Sequence, residues 1–221
     1  MTSQYKTKSP ILVYPNFISP KICNKILNDI KVPKIEKRIY DTEQTAFGKM
    51  QRFHDASEAI IAAKMQTIEK EISDYYSLTL KHTEKMLFQY FPEGVTGAAE
   101  EPGCQSSTFV RKKWVKIKDR DLTAVLWLKD YNDEMPLDME TEVYGGKLEF
   151  PQYNFSLNPQ VGTLIIYPAS PHFITAISEV MAGDLYQVRI NMAAEEGWLY
   201  QPEKFGSENQ DWNYKTWFNN M

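Results

Sequence analysis

Imidazole chemistry in this 221-residue chain rests on three histidines, His54, His82 and His172. His82-Thr-Glu84 puts an imidazole and a carboxylate two positions apart. His54-Asp55 is adjacent and stands beside an expected helix start, where Asp commonly caps. The only thiols, Cys23 and Cys104, are too few for a disulfide framework or a thiolate zinc site. Gly-rich phosphate loops, nucleophile elbows and paired histidines on a helix are all missing from the sequence. Arg111-Lys-Lys113 beside Trp114 is a small basic and aromatic cluster, suited to a phosphate backbone or, as a short charge run, to a solvated strand edge.

The segment 185–192 offers more. Tyr186, Val188, Ile190 and Met192 alternate with Leu185, Gln187, Arg189 and Asn191. If the apolar set packs against another layer, the second set lines a polar interior with a cation inside it. If the apolar set faces the only core, Arg189 is solvated.

The elements that would position these residues are legible from periodicity. The chain is 43% hydrophobic and 24% charged, as expected of a folded domain, and its length fits one domain spanning 1–221. No run of about 18 apolar residues exists, so no membrane span is expected. The N-terminal sequence lacks a continuous apolar stretch and a small-residue cleavage site, so a cytoplasmic location is expected, and the Asn154-Phe-Ser156 sequon carries no weight. The net charge of -4 argues against a general nucleic-acid binder.

Ile11–Tyr14 reads as a strand, and Ser19-Pro20 as an N-cap followed by proline in the first helical turn. Ile22, Cys23, Ile26, Leu27 and Ile30 share one face of that helix, with Cys23 as a small buried hydrophobe. A second helix starts near Ser57, with Ile61, Met65, Ile68, Ile72 and Tyr75 as its apolar stripe. Strands are expected at 86–90, 108–117, 122–129, 147–150, 162–167, 173–177 and 185–192, with a polar loop over 130–144. This order gives an α+β chain: a helical support region over 11–80, a β-barrel over 83–192 and an aromatic tail over 193–221. The tail carries Trp212, Tyr214, Trp217 and Phe218 and is a candidate for packing back on the domain or for homo-oligomer formation.

Tyr144-Gly-Gly-Lys-Leu-Glu-Phe150, Pro159-Gln-Val-Gly162, Pro171-His172-Phe173 and Gly183-Asp-Leu-Tyr186 together resemble the Fe(II)/2-oxoglutarate dioxygenases, prolyl 4-hydroxylase-like branch, including a subgroup common in phage genomes. Phe91-Pro-Glu-Gly94, Arg120-Asp121 and the entrance from Asn16 to Cys23 fit the same frame, so the resemblance covers most of 11–192. It implies a double-stranded β-helix (jelly-roll) barrel with N-terminal supporting helices. It also implies Fe(II) held by an early His-x-Asp or His-x-Glu and a distal histidine, and a basic residue deep in the barrel pairing with 2-oxoglutarate. A phage-encoded member would work in the host cytoplasm.

His172 takes the distal-histidine position in this frame. Arg189 is the candidate 2-oxoglutarate anchor, four residues beyond Leu185, where the branch usually has its Lys or Arg, and Tyr90 is the accessory candidate. The proximal motif should lie over 96–108, and no His-x-Asp is there: the best frame puts Gly103 at the histidine and Gln105 at the carboxylate. Glu100, Glu101 and Cys104 are nearby substitute ligands, and His82-Thr-Glu84 lies before the strand that the motif should follow. The expectation is a dioxygenase-fold protein with a degenerate metal site and weakened or lost Fe(II) binding, which binds a carboxylate such as 2-oxoglutarate or a protein partner. The alternative is an active 2-oxoglutarate-dependent hydroxylase with irregular iron ligands.

Overall fold

Helix α1 (Pro20–Asp29) begins where Ser19 can cap it, the Ile22 N–H donating to Ser19 Oγ at 3.4 Å. It follows β1 (Leu12–Tyr14) and precedes β2 (Lys49–Arg52) and α2 (Asp55–Tyr76). The computed structural model describes residues 9–29, 49–52, 55–94 and 100–195. After α2 come β3 (Leu80–Thr83), β4 (Leu87–Phe91), β5 (Glu100–Gly103), β6 (Ser107–Val110), β7 (Lys113–Lys116), β8 (Leu122–Trp127) and β9 (Asp130–Tyr131). They are followed by β10 (Glu142–Gly145), β11 (Leu148–Phe150), β12 (Phe155–Leu157), β13 (Leu164–Pro168), β14 (Thr175–Ile177), β15 (Val180–Ala182) and β16 (Leu185–Ala194). The chain is mostly β-sheet, and none of its described helices is long and apolar enough to cross a membrane.

The large sheet has the order β1-β13-β8-β16-β4-β2, with β3 also paired to β16. All its pairings are antiparallel. A second sheet runs β12-β11-β14-β5, and β15-β10-β9 forms a short third one. One core fills the space between the helices and the outer face of the large sheet, joining Ile61, Met65, Ile72 and Cys23 to Phe88, Leu126, Val188 and Ile190. The other lies on the inner face and joins Phe91, Val125, Trp127, Ile165 and Leu185 to Leu148, Phe150 and Ile177. Apolar layers on both faces explain why Leu122–Trp127 is apolar at every position but Thr123 and is buried throughout.

Two glycines fix the joints. Gly162 has φ +74°, and a Cβ there would lie 2.0 Å from the Ile18 carbonyl oxygen, where the loop before α1 crosses the turn into β13. Gly145 has φ +88°, and a Cβ would meet Glu179 O at 2.1 Å. Only glycine adopts such a conformation with no room for a side chain. The Tyr76 hydroxyl, 2.9 Å from both the Pro10 and Ile166 carbonyl oxygens, ties the end of α2 to the edge of the large sheet.

Three sequence expectations are corrected. The single strand over 108–117 is a hairpin, β6 and β7, turning at Arg111-Lys112 with both residues at positive φ. The polar loop over 130–144 begins and ends in short paired strands, β9 and β10. Strands β2, β3, β5, β12 and β15 were not foreseen, being short and without strong alternation. The aromatic tail, from Trp198 onward, and His54 lie outside the described residues.

Candidate functional site

Strand β16 has polar residues on one face and apolar residues on the other, and both faces are buried. Val188, Ile190 and Met192 pack toward the helices, so Gln187, Arg189 and Asn191 point into the space between the sheets. Arg189 is 4% exposed. Its register neighbours are Leu87 on β4 and Val125 on β8. A guanidinium taken this far from water is costly unless anionic or hydrogen-bonding groups meet it.

The rows on either side of Arg189, through Gln187 and Asn191, are polar and neutral. Gln187 Nε2 donates to Gln89 Oε1 at 2.9 Å, and Thr123 Oγ1 donates to Asn191 Oδ1 at 3.0 Å. In the row Gln89–Gln187–Trp127, the buried Trp127 Nε1 and Gln187 Oε1 have no hydrogen-bond partner among the described residues. A buried N–H and a buried carbonyl oxygen left in this way suit a ligand or ordered water.

The polar network continues outward. Asn191 Nδ2 reaches Glu84 Oε2 at 3.4 Å, and Arg120 clamps that carboxylate with two bonds of 2.7 and 2.6 Å. Those bonds from Arg120 hold the Glu84 carboxyl below the usual carboxylate range, against the opposing effect of burial. Arg120 Nη1 also donates to the Gln105 carbonyl at 3.1 Å, so this ion pair positions the peptide just beyond β5.

His172 precedes β14, and the fold brings the end of β5 beside it. Gly103 pairs with Thr175, while the Cys104 thiol and the Ser106 N–H both donate to the Ala169 carbonyl at 3.1 Å. Tyr153 donates through its hydroxyl to the His172 carbonyl, and Gln152 Nε2 donates to the Pro171 carbonyl at 3.1 Å. Burial pushes the His172 imidazole down to about 4, so the ring is neutral at physiological pH.

Other predicted residues are placed elsewhere. Tyr90 faces the helices and stacks on Tyr186 at 5.1 Å, so it is on the opposite face of the sheet from Arg189 and cannot assist it there. His82 is exposed on β3 opposite Ala193, and Glu84 is committed to Arg120. Cys104 directs its thiol at a backbone oxygen. Glu100 and Glu101 form the start of β5, and their side chains lie outside the described residues. No three His, Cys, Asp or Glu side chains converge as a metal-holding group among the described residues. Sequence reasoning missed Gln89, Thr123, Trp127 and the Glu84–Arg120 pair. The alternation in Leu87–Phe91 was the one signal available, since it puts Gln89 on the inner face with Phe91.

Neither a family model nor a curated protein matches the sequence. Solved structures share the fold. A viral collagen prolyl hydroxylase from Paramecium bursaria Chlorella virus-1, in complex with 2OG, is 16% identical, covers 82% of this chain and 94% of its own, and gives a TM-score of 0.59. A prolyl-4-hydroxylase of Pseudomonas putida is 14% identical over 84% of this chain and 92% of its own, with a TM-score of 0.57. A prolyl hydroxylase from Trichoplax adhaerens, in complex with a hypoxia inducible factor oxygen degradation domain peptide fragment, is 9% identical over 86% of each chain, with a TM-score of 0.60. The fold is therefore that of the prolyl hydroxylases.

Proposed function

We propose that the chain is a single-domain, 2-oxoglutarate-dioxygenase-like protein that binds a dicarboxylate such as 2-oxoglutarate through Arg189 and has lost the proximal half of the iron site. The observation that carries this reading is Arg189 itself, nearly fully buried in the space between the sheets beside a row of neutral amides. A double-stranded β-helix is supported by the way successive strands alternate: β4, β8, β13 and β16 belong to the large sheet, and β5, β11, β12 and β14 to the second.

Iron fits the described residues poorly. Gly103 and Gln105 occupy the positions that the resemblance assigns to a histidine and a carboxylate; glycine has no donor and glutamine only a neutral one. The 2-oxoglutarate half fits better. The Arg189 guanidinium would take one carboxylate as a charge-assisted pair, and the buried Trp127 N–H in the adjoining row is a donor for a ligand oxygen. Arg189 would anchor and orient the ligand, and the apolar inner core would keep water from that contact. A peptide is the second partner class in this reading, since the Trichoplax relative is seen with one.

Anaerobic calorimetric titration of 2-oxoglutarate, with and without Mn(II), tests the proposal. Binding without metal is expected, weakened at least about tenfold in Arg189→Gln, the loss of one charge-assisted contact. Binding only with Mn(II) would overturn the loss of the metal site. Absence of binding in either condition, with wild-type circular dichroism, would overturn the ligand assignment.

A further inference from the structure

Nine large apolar side chains are exposed among the described residues, and seven of them fall on two projections. Phe109, Val110, Val115 and Ile117 are on the β6–β7 hairpin or just after it; Met135, Leu137 and Met139 are on the loop between β9 and β10. The projections have opposite charge. The hairpin carries Arg111, Lys112, Lys113 and Lys118, all exposed, and the first three make no ion pair among the described residues. The loop carries Asp133, Glu134, Asp138 and Glu140, also exposed, and Asp133 and Glu134 make no ion pair among the described residues.

Both are built to hold their shape. The hairpin is a sheet of its own, with register from Ser107↔Lys116 to Val110↔Lys113. Its root is pinned where the Ile117 and Lys118 N–H groups donate to the Ser106 carbonyl at 2.9 and 3.0 Å. Phe109 and Trp114 meet on one face, with centroids 5.3 Å apart, and Val110 and Val115 lie on the other. A two-stranded ribbon wet on both faces is marginal by itself, and its tip holds Arg111 and Lys112 at φ 49° and 64°, where Asn-Gly is the favoured pair. The loop is held by Asp138, which accepts from the Glu140 N–H at 2.9 Å and from Thr141 Oγ1 at 2.8 Å. Lys129 Nζ donates to the Met139 carbonyl from below. Leu137 stays fully exposed, at 102%, on this fixed loop.

From this we infer that the occupant of each projection is the other projection on a second copy of the chain. In a two-fold pair, the hairpin of one copy meets the loop of its partner and the reverse, so the contact forms twice. Charge fixes this choice: hairpin against hairpin and loop against loop place like charges together, whereas hairpin against loop pairs opposite charges around an apolar centre. Within one copy neither covers the other, since both remain exposed. This inference is independent of the ligand reading.

Sedimentation velocity on the full chain tests it by charge exchange. The wild type is expected to show a concentration-dependent dimer that weakens with salt. Arg111→Glu/Lys112→Glu/Lys113→Glu and, separately, Asp133→Lys/Glu134→Lys/Glu140→Lys should each weaken it at least about tenfold, because reversing three of the four charges changes the sign of the projection and makes both contacts repulsive. Mixing the two variants should restore association, because each contact again pairs opposite charges. These residues are exposed, and circular dichroism checks that both variants fold. A monomer at every concentration, a dimer unmoved by either reversal, or a mixture that stays dissociated would each overturn the inference.

Discussion

Gly103 and Thr175 face each other across the β5–β14 pair, and Thr175 is three residues beyond His172. The pairing sets the end of β5 beside the segment that carries His172, and in the proposed reading Gly103 and Gln105 stand there in place of two metal ligands. Gly103 lies in an extended strand, a conformation open to any residue, so adding a side chain there strains nothing in the backbone.

Gly103→His/Gln105→Asp should consequently gain Mn(II) binding, measured by calorimetry in the presence of 2-oxoglutarate. The expected affinity is at least about tenfold above that of the parent chain, and it should be lost again when His172→Ala is added. No gain in a folded double variant would mean that His172 does not face this end of β5.

Gly162→Ala should destabilise the chain by about 3 kcal/mol, because the new methyl meets the Ile18 carbonyl and also occupies a left-handed backbone. Gly94→Ala is the control: φ there is +80° with nothing within 4 Å of the added carbon, so only the backbone cost of about 1 kcal/mol applies. Urea midpoints of the two variants would separate close approach from conformation. Equal losses would mean that the crossing of Ile18 over Gly162 yields easily.

Arg120→Ala should cost about 2 kcal/mol at neutral pH, since Glu84 then keeps its charge with its principal partner removed. The wild-type Glu84 carboxyl is held below its unfolded value, so its contribution is complete above roughly pH 4.3 and is lost as pH falls through the folded value. The gap in stability between Arg120→Ala and wild type should thus close on acidification. A gap that stays constant down to about pH 2 would assign the loss to packing of the arginine stem.

Much of the scaffold was legible because it follows periodicity. Ser19-Pro20 marked α1, the stripe from Ile61 to Tyr75 marked α2, and the run over 122–129 marked the strand found at Leu122–Trp127. The hairpin was read as one strand because Arg111-Lys112 lacks the glycine or asparagine that signals a tight turn, yet both residues adopt positive φ. The inward direction of Arg189 was one of two readings of an alternating strand, and it took a second apolar layer over Val188 and Ile190 to choose between them. The Glu84–Arg120 pair joins residues 36 positions apart, and no local pattern announces it. Tyr90 was named as the accessory to Arg189; the strand pleat sends the two to opposite faces.

Strand β16 pairs with β3, β4 and β8, and it is the last strand of the described chain to be made. During synthesis on a ribosome, the facing edges of β4 and β8 therefore exist before the strand that joins them. Those edges are apolar and open until residues 185–194 emerge, which makes the nascent chain vulnerable to pairing with the wrong edge. A transcript cut short before this point would yield a chain without the centre of its large sheet, a species for chaperones and proteases to clear.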